Sequence, residues 1–143
     1  MLYTLKSAGK KYAYDSTSGA VIQLNALQFK MLGAILPPLT PVCPTSLRYE
    51  LAKFDSMDVE EAYEHIYSLA CDGLIYKEDD GKVRIVTEGE NACTDTALAG
   101  ELIELAFADA PAEFNFEIVG SALTNELKAM ALGAAVKLGK KII

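Results

Sequence analysis

Apolar and polar residues alternate at the start of the chain. Leu2-Tyr3-Thr4-Leu5-Lys6-Ser7-Ala8, Lys11-Tyr12-Ala13-Tyr14-Asp15-Ser16 and Ala20-Val21-Ile22-Gln23-Leu24-Asn25 are divided by the turn signals Gly9-Lys10 and Thr17-Ser18-Gly19. Period two bounded by turns predicts a three-stranded meander over residues 2–24. The period changes at Ala26, where Leu27, Met31, Leu32 and Ile35 fall at helical spacing behind Asn25 as N-cap, and Pro37-Pro38 stops the helix. The stretch 37–46 holds four of the five prolines, a stiff loop whose Ser46 can cap a short helix, Leu47–Phe54. Ser56, followed by acidic residues, caps a third helix with the apolar stripe Val59, Ala62, Tyr63, Ile66, Leu69 and Ala70, and Gly73 ends it.

Leu74–Lys77 and Val83–Val86 flank Asp79-Asp80-Gly81, a hairpin signal, and predict a two-stranded wing. The element order up to residue 86 is then that of a winged helix-turn-helix preceded by a sheet. Beyond a polar connector at 87–95, Thr96–Phe107 reads as a helix, Phe114–Val119 as a strand, and Leu123–Leu138 as an Ala-rich helix. The expected fold is α+β: a three-stranded meander plus winged helix-turn-helix at 1–86, and an α-β-α appendage at 87–143. One strand between two helices closes no sheet alone. The appendage is expected to dock on the first unit or to pair its strand with that of another copy, as a homodimer.

Composition narrows the function classes. The 143 residues are 51% hydrophobic and 23% charged, so a chain of this length can bury roughly 68% of its unfolded surface without metal or disulfides. The formal charge of −7 disfavours nucleic acid as a partner, because affinity for phosphates comes from Lys and Arg. Most of the acidity follows Val86, where 4 basic residues stand against 9 acidic ones. Cys43, Cys71 and Cys93 are odd in number and 28 and 22 residues apart, a spacing that fits neither a disulfide framework nor a metal site and suits reduced thiols in a cytoplasm. No segment reads as a secretion signal or a membrane helix.

Candidate chemistry is sparse. His65 stands among Glu60, Glu61, Glu64 and Asp72 on one helix, with no nucleophile beside it. A metal is poorly motivated there, since hard cations prefer ligands converging from a loop. Gly120-Ser121-Ala122 between strand and helix could cradle a phosphate on backbone N–H groups, but one glycine is a weak signal and a tight βα turn is the favoured reading. The better-supported site is the edge of the third strand, Val21, Ile22, Gln23 and Leu24, beside the third helix with Tyr63, Ile66, Tyr67 and Ala70. An extended peptide could add to that edge through main-chain hydrogen bonds, with pockets for its side chains. The alternative, that these residues only form the core between sheet and helices, stays open.

The segment YAYDSTSGAVIQLNALQFKML, with its Asp15-Ser16-Thr17-Ser18-Gly19 turn, and the segment VEEAYEHIYSLACDGLIYKEDD resemble the N-terminal recognition domain of radical SAM peptide maturases that form thioether cross-links. That domain is a PqqD-like winged helix, a RiPP recognition element. The resemblance covers about residues 1 to 80. It implies a partner, the leader of a ribosomally made precursor peptide, gripped along the third strand and third helix. Residues 99–141 look like an early piece of a radical SAM barrel, but Cys93 has no other cysteine nearby to make the family's cluster motif. The family's Gly-Gly-Glu-Pro turn appears as Gly120-Ser121-Ala122-Leu123. The expectation is a non-catalytic peptide-binding protein without cofactor or metal, acting beside a separate maturase. The alternatives are a winged-helix transcriptional regulator, disfavoured by the acidic third helix, and an accessory subunit of a maturase.

Overall fold

The computed structural model describes residues 1–143, a mixed α/β chain with five helices and two small sheets. Strands β1 (Leu2–Ser7), β2 (Lys10–Asp15) and β3 (Val21–Leu24) form the expected antiparallel meander in that order. The first hairpin closes through Ala8 and Gly9, both at positive φ, which matches the right-handed twist of the strands. Period two sorts the side chains. Tyr14 and Val21 face one core, while Ala13, Ile22 and Leu24 face another. The meander is thus a middle layer between two apolar clusters of 16 and 15 buried residues.

The second cluster is closed by helices α1 (Ala26–Ala34), α2 (Thr45–Glu50) and α3 (Ser56–Cys71). Asn25 and Gln28 make a reciprocal capping box at α1. Two caps shift from the sequence expectation. Helix α2 starts one residue before Ser46, with Pro44 at its N-cap and no side-chain cap, because proline's fixed φ suits the approach to a helix. Helix α3 is capped by Asp55, whose Oδ1 accepts from the N–H groups of Met57 and Asp58, so Ser56 becomes its first helical residue.

The expected wing hairpin does not form. Residues 74–80 make no strand, and Tyr76 turns left-handed at φ 56°. Ile75 is buried with the helical cluster, whereas Val83 and Ile85 are buried in the other, so the two segments part rather than pair. Residues Lys82–Val86 form β4, which pairs in parallel with β5 (Glu113–Val119), and β5 pairs in parallel with β6 (Lys141–Ile142). Helices α4 (Thr96–Asp109) and α5 (Thr124–Leu138) supply the crossovers. The last strand was not anticipated. The C-terminal strand therefore has partners within its own chain, and the appendage docks on the meander through Tyr14 and Val21. Phe107 of α4 meets Phe114 and Phe116 of β5 edge-to-face, with ring centres 4.7 and 5.3 Å apart.

The joint between the two sheets is the β2–β3 turn. Asp15 Oδ1 accepts from the N–H groups of Thr17 and Ser18, an Asx turn that holds the loop rigid. The loop then offers its carbonyls to β4. Arg84 N–H donates to the Ser16 carbonyl at 2.8 Å and Val86 N–H to that of Gly19 at 2.9 Å. The Tyr14 hydroxyl donates to the Arg84 carbonyl at 2.6 Å, and the Cys93 N–H to that of Val86 at 2.7 Å. The outward backbone of β4 at these two residues is thereby fully paired. Gly19 makes the approach feasible, since a Cβ there would lie 3.0 Å from Arg84 and Ile85 atoms and φ is +81°. Gly19→Ala is expected to lower the unfolding free energy by about 2 kcal/mol or more. Gly9→Ala, at φ +77° in open space, should cost only about 1 kcal/mol. Urea unfolding of both variants measures the difference.

Candidate functional site

Strand β3 is the edge of the meander, and its backbone is only partly engaged. Asp15 N–H bonds the Ala20 carbonyl, so by antiparallel alternation Val21 and Gln23 turn their main-chain groups outward. Val21 N–H is taken by the Asn91 carbonyl at 2.9 Å. The Val21 carbonyl and both groups of Gln23 find no partner within the chain. The two groups of Gln23, an exposed residue, thus lie open along this edge, whereas Val21 is buried.

The side chains expected to read a peptide are distributed differently. Val21, Ile22, Leu24, Tyr63 and Ile66 are all core residues, with Val21 in one cluster and the other four in the second. They pack between the sheet and the layers on its two faces. Gln23 is exposed and Tyr67 and Ala70 are half-buried. Tyr67 and Ala70 line an open cleft of about 480 Å³ together with Pro37, Leu39, Cys71 and Tyr76. Tyr63 borders a second cleft, of about 230 Å³, between the end of α1 and α2. Its hydroxyl donates to the Thr40 carbonyl at 2.5 Å and so fastens the proline loop to α3. The loop walls both clefts.

His65, Glu61, Glu64 and Asp72 are exposed on α3, Glu60 is half-buried, and its nearest cation is Arg48 of α2. No three His, Cys, Asp or Glu side chains converge closely enough to hold a metal ion. Burial pushes the Cys43 and Cys93 thiols up, whereas Cys71 is exposed at the cleft, where its closeness raises the pKa of the Tyr67 hydroxyl. No helix is long and apolar enough to cross a membrane.

The Gly120-Ser121-Ala122 turn does bind an anion, and the anion is the chain's own. The carboxylate of Glu88 accepts the Ser121 hydroxyl and, at 3.0 Å, the Ser121 N–H. These bonds hold its pKa below the usual carboxylate value, the hydroxyl contributing most. Gly120 is required beside it, because a Cβ would lie 2.6 Å from Thr87 Oγ1. Asp80 is likewise lowered, to about 2, chiefly by its hydrogen bond to Arg84, which also pairs with Glu117 at 3.2 Å.

Sequence reasoning missed Arg84 and Asn91, the residues that bind β4 to the turn and block part of the β3 edge. Their only signal is the Asp15–Gly19 turn itself, rigid enough to seat another strand. No family model matches the chain, and no curated protein matches it significantly.

A depressed carboxylate stabilises the fold above its unfolded pKa, and that stabilisation is lost as pH falls through the folded value. Glu88→Gln should therefore be less stable than the parent protein at neutral pH. The gap should close in acid below the range where free carboxylates titrate. Thermal unfolding of the pair across that range checks the sign. Tyr63→Phe, which frees the proline loop, is expected to cost about 1 kcal/mol in urea unfolding.

Proposed function

We propose that this protein is a non-catalytic binding protein that takes an extended peptide, the leader of a ribosomally made and post-translationally modified precursor, and presents it to a separate maturase. The observation that carries the reading is the exposed outward backbone of β3 at Gln23, which has no partner within the chain. Main-chain groups at a sheet edge are satisfied by a strand from another chain, and they bind without requiring one side-chain sequence. The cleft beside Tyr67 and Ala70 supports it by offering an apolar seat with a hydroxyl and a thiol at its rim.

The meander followed by three helices, with the Asx turn in place, fits the PqqD-like recognition element that the sequence resembles. The strand expected as a wing is the departure, being drawn into the parallel sheet. The β4-α4-β5-α5-β6 run has the repeating strand-helix order in which an α/β barrel begins, in keeping with a barrel remnant. In this reading the remnant does no chemistry: its strand-to-helix turn is filled by Glu88. Side-chain selectivity comes from the Tyr67–Ala70 cleft and not from Val21 or Tyr63.

Gln23→Pro removes an outward N–H at an edge position that proline tolerates, and Ala70→Glu places a charge in the cleft. Each is expected to weaken binding of the cognate leader by roughly tenfold, as measured by titration calorimetry with a scrambled leader as control. Circular dichroism should stay unchanged. Unaltered affinity in both folded variants would place the peptide elsewhere.

A further inference from the structure

Charge is divided unevenly along the chain. Residues 1–54 carry 6 basic and 2 acidic residues, and residues 55–143 carry 7 basic and 18 acidic ones. Of the two early acids Asp15 is buried, so Glu50 is the single exposed carboxylate among residues 1–54. The cations there are also largely uncommitted. Arg48 pairs with Glu60, but Lys6, Lys10, Lys11, Lys30 and Lys53 enter no ion pair. Later in the chain Arg84 holds two carboxylates, Lys137 holds Glu104, and Lys140 holds the carbonyls of Ala108 and Ala110.

Three of the unpaired lysines are held over aromatic rings. Lys30 and Lys53 place their Nζ atoms 6.0 and 5.9 Å from the centre of the Phe54 ring, and Lys6 of β1 places its own 5.4 Å from that of Phe29. Phe29 and Lys30 are consecutive on α1, so the two arrangements adjoin. All three lysines are exposed, and both rings are half-buried against the helical cluster. Two ammonium groups on one ring repel each other. The closeness of Lys53 lowers the pKa of Lys30, against a smaller opposite effect from Glu50. Asp55, beside Phe54, commits its carboxylate to the N–H groups that open α3, and no carboxylate of the chain pairs with Lys30 or Lys53. Side chains already resting on a ring lose less rotamer entropy when an anion binds them.

We propose that the surface formed by Lys6, Lys30 and Lys53 with Phe29 and Phe54 docks an acidic segment of a partner polypeptide, one carboxylate bridging Lys30 and Lys53 and a second meeting Lys6. Charge complementarity selects this occupant. A carboxylate between two ammonium groups turns their repulsion into two attractions. A short acidic segment meets this face alone, whereas a duplex nucleic acid or an anionic membrane also meets the field of a chain whose net charge is −7. The proposal is independent of peptide binding at β3, since no residue of that edge takes part.

The probe is acetyl-hexaglutamate-amide, titrated at low salt into the isotopically labelled full chain and followed by backbone amide resonances. The amides of Phe29, Lys30, Lys53 and Phe54 should shift saturably, and that of Gln23 should not. Added sodium chloride should weaken the binding, because the lysines are exposed. Lys30→Gln combined with Lys53→Gln should weaken it about fivefold, and the pair Lys30→Arg and Lys53→Arg, which keeps the charge, should retain it. Lys77→Gln with Lys128→Gln, exposed lysines outside the surface, should leave it intact. No saturable shift up to millimolar peptide would overturn the proposal, as would equal binding by the Lys30→Gln, Lys53→Gln variant or shifts spread over exposed lysines generally. Two further results would overturn it by changing the occupant. One is shifts at Lys30 and Lys53 with phosphatidylserine vesicles or a DNA duplex but not with hexaglutamate. The other is a salt-sensitive dimer in sedimentation whose Lys30 and Lys53 amides shift with protein concentration alone.

Discussion

The fold depends on the close approach of one turn to one strand. Strand β4 would have an exposed edge if the β2–β3 turn did not supply the carbonyls of Ser16 and Gly19, with the Tyr14 hydroxyl completing the pairing at Arg84. This requires a loop stiffened by Asp15, a residue without a side chain at position 19, and a tyrosine long enough to cross from the meander. Arg84 then adds a bond from its guanidinium to the Thr17 carbonyl at 2.6 Å. Ser18 extends the same joint to the end of α3 through the Leu74 carbonyl. Hydrogen bonds closed on this scale leave little freedom between the parallel sheet and the meander, so the two apolar clusters are held on opposite faces of one layer.

That arrangement decides what the molecule can offer to partners. A sheet covered on both faces has only its edges left, and the meander keeps one of them open at β3. In the parallel sheet the β2–β3 turn pairs with β4 at Arg84 and Val86, and β6 pairs with β5 at Glu113 and Phe114. In the function proposed above, recognition falls to the backbone of the β3 edge, with the Tyr67–Ala70 cleft adding selectivity.

Much of the first 73 residues was legible in the sequence because the signals are local. Period two set the meander, helical spacing set α1 and α3, and the Asn25 cap was read correctly. At α3, Asp55 and Ser56 are both competent caps and the choice between them turns on one residue. The wing was misread because Asp79-Asp80-Gly81 is a local hairpin signal, whereas the partner of β4 lies some thirty residues on and pairs in parallel, which leaves no turn signature. At the site, Val21, Ile22, Leu24, Tyr63 and Ile66 are apolar, and a stripe of apolar residues reads the same in sequence whether it packs on a core or on a ligand. Only the outward alternation at Gln23 and the half-burial of Tyr67 and Ala70 separate the two, and both are properties of the folded chain.

The joint at Ser16 and Gly19 can be tested directly by native-state hydrogen exchange at the Arg84 and Val86 amides, the two donors that cross it. If the turn binds the parallel sheet to the meander, both amides exchange only through global unfolding, with the same free energy as the core amides of Ile66 and Leu102. Exchange of Arg84 and Val86 through a cheaper opening, while Ile66 remains protected, would contradict it and show a parallel sheet that comes away on its own.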